Sequence, residues 1–364
     1  MASTVSFRPV SGTQGPAGPG DHALAVRDQA VVGDPGVGWA MRYRKVRLLG
    51  TGGQGVVYLS ERQGTDGFAL PVALKVFSPE PYRDAASYRE DMGRIARTAA
   101  RVALIQHDNL LDIHNFMEQD GIRVMEMEWL DGFDLRRVLT PRMMEETQRQ
   151  IDPDGWEYLT SVVITEGPQQ PRLKPGVAIQ VLRECLAGLA ALHREGIVHG
   201  DIKPSNVMLK RTGHAKVIDI GSAVDLNNPA ARGMWSPAYA APEVLEGGEN
   251  TPQSDVASLG YVLVEMLAGR PPFADLTNYR QLVEAKKSLD DRLEELLPPE
   301  VSCNELLLDL CRRLVAPDPA DRFADAQAAD LDHRGAADFH RQLIKGDLAS
   351  EYDNDLRVWL EQLG

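Results

Sequence analysis

Cysteine is scarce in this sequence. The 364 residues hold three, Cys185, Cys303 and Cys311, and no C-x-x-C pair. That leaves no basis for a disulfide framework or a zinc-type ligand spacing, and it suits a reducing cytoplasm. Cys303 and Cys311 stand eight apart in CNELLLDLCRRL and are expected on one helix face, as core. Positive charge is also short: 39 Lys and Arg against 53 Asp and Glu give a formal net charge of −14. Nucleic acid and anionic membrane both call for a basic excess, so neither is an expected partner. Long apolar runs are missing. VASLGYVLVEMLAG, 256–269, is too short to span a bilayer and contains Glu265, so it reads as a buried helix. No N-terminal stretch has the charged-then-apolar order of a signal peptide. What remains is a chain with 43% hydrophobic and 25% charged residues, the balance of a soluble globular protein.

Residues 1–40 are dominated by glycine and proline, as in SGTQGPAGPGD and VVGDPGVG, and read as a flexible tail. From Tyr43 the texture changes. KVRLLG, GVVYLSER, LPVALKVF and IRVMEMEWL are short β-branched runs that predict strands, with a helix over 83–106 between them. The later chain turns helical: 177–196 ending at Gly196, then a helix opened by Ser254 or Asp255, then helices near 278–297, 304–315 and 324–343. Strands first and helices after point to an α+β fold with two lobes. The polar segment 140–176 interrupts this order and reads as an insertion. Near the C-terminus DLRVWLEQL carries an apolar stripe of Leu356, Trp359, Leu360 and Leu363, expected to pack back on the larger lobe rather than to dock a partner.

Four stretches carry chemistry. In LLGTGGQGVVYL, Gly50, Gly52, Gly55 and Val57 fit G-x-G-x-x-G-x-V. Glycines let a backbone approach phosphate oxygens without a Cβ in the way. Dinucleotide folds use a similar run, but there a helix follows, whereas VVYLS is strand-like. In VALK, Lys75 sits in an apolar strand beyond Ala73, where an ammonium is costly unless it meets an anion. HGDIKPSN places Asp201, Lys203 and Asn206 at the spacing of H-R-D-L-x-x-x-N, with Gly200 in place of the arginine. VIDIG then sets Asp219 at the end of a strand.

In this order and at these spacings the motifs, over about residues 41–330, resemble those of the Hanks-type, eukaryotic-like serine/threonine protein kinases of bacteria. The resemblance implies a bilobal fold, with a small antiparallel β-rich lobe and hinge at 41–131, a larger mostly helical lobe at 132–332 and a C-terminal helical extension at 333–364. It implies Mg-ATP between the lobes and protein Ser/Thr hydroxyls as substrates. Asp201 is then the base that takes the attacking hydroxyl's proton, Lys203 steadies the moving phosphoryl charge, and Lys75 meets the α- and β-phosphates. Asn206 and Asp219 are the Mg²⁺ ligands. MEWLDGFDL resembles the hinge, so Glu128 and Leu130 would face adenine after Met127, with Asp134 near the ribose. SPAYAAPE resembles the end of an activation loop: Ser236 meets the catalytic loop, and Glu243 pairs with Arg322. If that pair is buried, losing one partner costs ~3–5 kcal/mol. Asp255 braces the catalytic loop.

Three departures stand out. Gly200 replaces the arginine that answers a loop phosphate, and between Asp219 and Glu243 the hydroxyl residues besides Tyr239 are Ser222 and Ser236 alone. Activity independent of loop phosphorylation is therefore expected. The helix glutamate that pairs with Lys75 in this family falls on Arg94, so Glu90, one turn earlier, is the expected substitute. The segments 140–176 and 333–364 are additions, with partner docking a candidate role. Ser3, Thr4, Ser6, Ser11 and Thr13 are candidate autophosphorylation sites by exposure. Two rival readings stay open: a small-molecule phosphotransferase of the aminoglycoside type, which usually lacks the A-P-E segment, and a pseudokinase scaffold that binds nucleotide without turnover.

Overall fold

The computed structural model describes residues 42–228, 235–274, 276, 278–345 and 352–363. The tail at 1–40, with its candidate autophosphorylation sites, lies outside the described residues. The described residues group into two compact units, one of 42–44 and 62–69, the other of 45–61 and those from 70 onward. In the first, the Gly64 N–H donates to the Phe68 carbonyl and the Phe68 N–H to that of Thr65, which closes a turn. The candidate site lies wholly in the second.

The four expected strands and one that was not expected, Ile113–Gln119, form one sheet: β1 (Arg42–Gly52), β2 (Gly55–Gln63), β3 (Ala69–Phe77), β4 (Ile113–Gln119) and β5 (Ile122–Glu128), in the order β1-β2-β3-β5-β4. β3 and β5 are antiparallel with Lys75 opposite Met125. Strand alternation puts Ala73, Lys75 and Phe77 on one face. Helix α1 (Ala85–Val102) follows β3. Asp84 and Ser87 start it with a reciprocal capping box. Tyr88, Met92, Ile95, Ala99 and Val102, at helical spacing, form its buried face.

The later chain is helical around two buried helices, Pro175–Arg194 and Pro252–Ala268. The first is, among the described residues, the one helix long and apolar enough to cross a membrane by length and composition, and most of it is buried inside the fold. The second starts at a Thr251–Ser254 capping box with Pro252 at its first turn, and stops at Gly269, whose φ of 67° is the left-handed conformation that ends helices. The predicted helix over 278–297 is two, Tyr279–Lys287 and Leu289–Leu296, parted at Ser288. That over 324–343 divides into Ala326–Leu331 and Ala336–Lys345, with Arg334 at φ 61° between them. Cys303 does not share a helix face with Cys311: Asn304 caps the helix Glu305–Val315, so Cys303 stands before it, exposed, while Cys311 is core.

The segment 140–176 is ordered. Pro141 and Pro153 sit in the first turns of two helices, Pro141–Gln148 and Pro153–Val162, where a missing N–H costs nothing. A small ladder, Ile164–Thr165 with Arg172–Leu173, completes it. The C-terminal helix Tyr352–Gln362 packs on this segment and on Pro175–Arg194. Its apolar stripe is covered: Leu356, Trp359, Leu360 and Leu363 are at most 2% exposed, so the stripe is core and not a docking face. The Trp359 indole donates to Thr147 Oγ1 at 3.1 Å, and the Tyr158 hydroxyl to Asp355 at 2.8 Å. Trp359→Ala is therefore expected to destabilise the protein by ~3–5 kcal/mol, read as a lower midpoint of denaturant unfolding. An unchanged midpoint would mean that the helix is not part of the core.

Candidate active site

The catalytic loop is built by Asp255. Its carboxylate accepts the backbone N–H of His199 at 2.7 Å and of Gly200 at 2.9 Å, and meets His193 Nε2 at 3.1 Å. It is 1% exposed, so these bonds are what make its burial tolerable. Gly200 has a φ of 76°. A side chain there would be strained in this backbone, which gives a local reason for glycine where an arginine was expected.

Asp201, Lys203, Asn206 and Ser236 converge. Lys203 Nζ donates to Asp201 Oδ2 at 2.6 Å and to Ser236 Oγ at 2.9 Å. The Ser236 N–H donates to Asp201 Oδ1 at 2.9 Å, and Asn206 Nδ2 donates to the Asp201 carbonyl at 2.8 Å. Asp201 is thus held from both sides, one oxygen by an ammonium and the other by a peptide. Asn206 commits its amide hydrogens to Asp201, so its remaining polar atom is an oxygen acceptor. The expected Glu243–Arg322 pair forms at 2.7 and 2.9 Å, with the Arg322 side chain fully buried.

Across the site, Lys75 is 6% exposed. Its ammonium donates to Asp219 Oδ1 at 2.6 Å and to Gln54 Oε1 at 2.7 Å. Burial pushes the Asp219 carboxyl upward. The Lys75 charge, with bonds from Lys75 and the Gly221 N–H, outweighs it and leaves the group below its ordinary value. Asp219 itself has a φ of 64°, an uncommon backbone for a non-glycine residue.

The structure corrects the expectation for Glu90. Glu90 is exposed, and among the described residues the hydrogen-bond partners of Lys75 are Gln54 and Asp219. Glu90 stays exposed one turn before Arg94, and at position 94 it is an arginine, not an acid, that reaches the segment after Asp219. Asp91, the other nearby acid, is bound to Arg94 at 2.7 Å and accepts the Tyr82 hydroxyl at 2.6 Å.

The glycine loop divides into two kinds of glycine. At Gly50 and Gly52 an added Cβ would meet nothing within 4 Å. At Gly55 it would fall 2.0 Å from the Val76 carbonyl, so β3 itself requires this glycine. Gln54 was not singled out in the sequence. Its carbonyl accepts the Ser78 N–H, which pins the loop tip to the end of β3 and sends the side chain to Lys75. Ala73 and Met127 belong to the buried apolar cluster, with Val57 and Leu130 packed on it half-exposed, which suits the wall of a flat aromatic ligand. Glu128 is anchored by Lys216 and by the Asp112 N–H. Asp134 spends one oxygen capping the short helix Leu135–Val138, and desolvation raises its carboxyl despite that bond and the neighbouring Arg136 and Arg137.

Asn206 and Asp219 offer an amide oxygen and a carboxylate, the hard oxygen donors that Mg²⁺ takes, and Lys75 offers a buried cation to an anion. These residues fit a metal–nucleotide complex. Gln54 competes for Lys75, so Gln54→Ala is expected to lower the KM for ATP by about 3–10-fold, part of the worth of one bond to a charged group. A raised KM would show that Gln54 assists the nucleotide, and an unchanged KM that it does not compete for Lys75.

A family model described as the protein kinase domain matches residues 43–333. The chain is 28% identical over 307 residues to the serine/threonine-protein kinase PrkC of Bacillus subtilis (strain 168), covering 82% of this chain and 41% of that protein. It is 31% identical over 290 residues to the serine/threonine-protein kinase PknD of Mycobacterium tuberculosis, covering 78% and 38%. To the serine/threonine-protein kinase pkn2 of Myxococcus xanthus it is 29% identical over 304 residues, covering 79% and 32%. The chain thus spans about two fifths or less of the length of these curated relatives.

Proposed function

Because the chain belongs to the protein kinase domain family, we propose that it is a serine/threonine protein kinase that moves the γ-phosphate of Mg-ATP to protein hydroxyls. The observation that carries this reading is Lys203, whose ammonium bridges Asp201 and Ser236. It ties the candidate base to the segment before A-P-E, where a protein substrate would lie. Mg-ATP supplies the phosphoryl group and the cation that neutralises its developing charge. Asp201 Oδ orients the attacking hydroxyl and takes its proton. The Ser236 N–H and the Asn206 amide hold that carboxylate in place. Lys203, already at 2.6 Å from Asp201, is placed to steady charge on the transferring group. Asn206 and Asp219 would hold the metal, and Lys75 the phosphates. Val57, Ala73, Met127 and Leu130 would form the adenine slot, with backbone groups of Glu128 and Leu130 at its rim. The retention of Lys75, Asp201, Asn206 and Asp219 weighs against a pseudokinase, and the Glu243–Arg322 pair against a small-molecule phosphotransferase. Three free cysteines support a reducing, cytoplasmic setting.

The loop hydroxyls support activity without loop phosphorylation. Ser222 is buried, Ser236 accepts from Lys203, and the Tyr239 hydroxyl donates to Glu265 at 2.6 Å. Labelled-phosphate transfer from ATP to a generic basic protein, with Mg²⁺, tests both points. Phosphatase-treated wild-type protein is expected to keep its rate, and Asp201→Asn to lose about 10²–10⁴-fold. Transfer unaffected in Asp201→Asn would refute the assignment of the base, and a rate that collapses after phosphatase would refute the constitutive reading.

A further inference from the structure

Helix α1 sends no carboxylate to Lys75, yet it is bound to the site. Arg94 lies in the stripe of α1 beside its buried face, its side chain 12% exposed. Nη1 donates to the Ala223 carbonyl at 3.0 Å and Nη2 to the Gly221 carbonyl at 3.2 Å. Nε donates to Asp91 at 2.7 Å, and Asp91 takes the Tyr82 hydroxyl at 2.6 Å, so the guanidinium is both neutralised and aimed. Two turns on, on the same side of the helix, Arg101 pairs with Asp225 and donates to the Glu195 carbonyl. Two arginines therefore grip the segment 221–225 along its length.

Gly221 is the link to chemistry. Its carbonyl takes Arg94, and its N–H donates to Asp219 Oδ1 at 3.1 Å, the same oxygen that takes Lys75. The residue whose N–H steadies Asp219 is thus held through its own carbonyl by Arg94, two positions after the uncommon left-handed backbone of Asp219. Resting on the kinase reading above, we propose that Arg94 is a positioning residue for phosphoryl transfer: it fixes Asp219 by holding the carbonyls of Gly221 and Ala223. It leaves Lys75 to pair with Asp219 without an acid from α1. A carboxylate at position 94 would face two carbonyl oxygens and be repelled. A lysine would keep the charge but lose the fork that spans both.

The test compares wild type with Arg94→Ala, Arg94→Lys and Arg94→Glu by amide hydrogen exchange over 219–225 and by steady-state transfer, with Asp201→Asn alongside. Arg94→Ala is expected to exchange faster in that segment and to lose about 10–100-fold in kcat, the scale of a small misplacement, with KM for the protein substrate unchanged. Arg94→Lys falls between, and Arg94→Glu falls at least as far as Arg94→Ala. Wild-type exchange and kcat in Arg94→Lys and Arg94→Ala, or a gain in Arg94→Glu, would overturn the proposal. Should Arg94→Ala not fold, Arg94→Lys decides it by the same two readouts. Absence of transfer in wild type would sink the kinase reading, while the exchange data would still judge the hold of Arg94 on Asp219.

Discussion

A lysine ammonium buried in a β strand needs an anion, and much of the candidate site is arranged around that need. Strand alternation puts Lys75 on the face with Ala73 and Phe77. Its partner is Asp219, which is far off in sequence; the strand Ala215–Val217 before it pairs with Val207–Lys210 and bonds to Asn109 and Leu111. The catalytic loop is pinned by Asp255, and His199 Nε2 lies 3.0 Å from the Ile218 carbonyl, one residue before Asp219. The ion pair therefore depends on a chain of buried polar contacts, each costly to leave half made. Gln54 and the bonds to Gly221 close the arrangement on its other sides.

Four of the five sheet strands, the two core helices and the convergence of Asp201, Lys203 and Asn206 were legible in the sequence, because their signals are local: alternation, capping residues and motif spacing. Asp255, Glu243 and Arg322 came through resemblance, and the geometry gives each a partner. Glu90 failed for a physical reason. The family position falls on Arg94, and the nearest acid, one turn earlier, stays exposed, while the described hydrogen-bond partners of Lys75 are Gln54 and Asp219. Arg94 and Gln54 were hidden because their roles rest on backbone carbonyls and a loop tip, which leave no residue pattern. The breaks at Ser288 and Arg334 were missed because apolar spacing continues across them.

The two additions share one explanation. The segment 140–176 supplies helices that the C-terminal helix covers, so neither is an appendage. The same segment also reaches the substrate side of the fold. Gln170 donates to Glu265 at 3.0 Å, and Glu265 takes the Tyr239 hydroxyl. Burial raises the Glu265 carboxyl against those two bonds and Arg136. Through Tyr239 this carboxyl ties the A-P-E segment to the core.

The central claim is that the buried cation serves phosphoryl transfer and not the fold alone. The most direct measurement is labelled-phosphate transfer from Mg-ATP by wild type and Lys75→Met at matched, folded concentrations. The account predicts transfer by wild type and a loss of at least about 100-fold in the variant, as expected when an electrostatic contact to the reacting phosphates is removed. Lys75→Met working at the wild-type rate would contradict it.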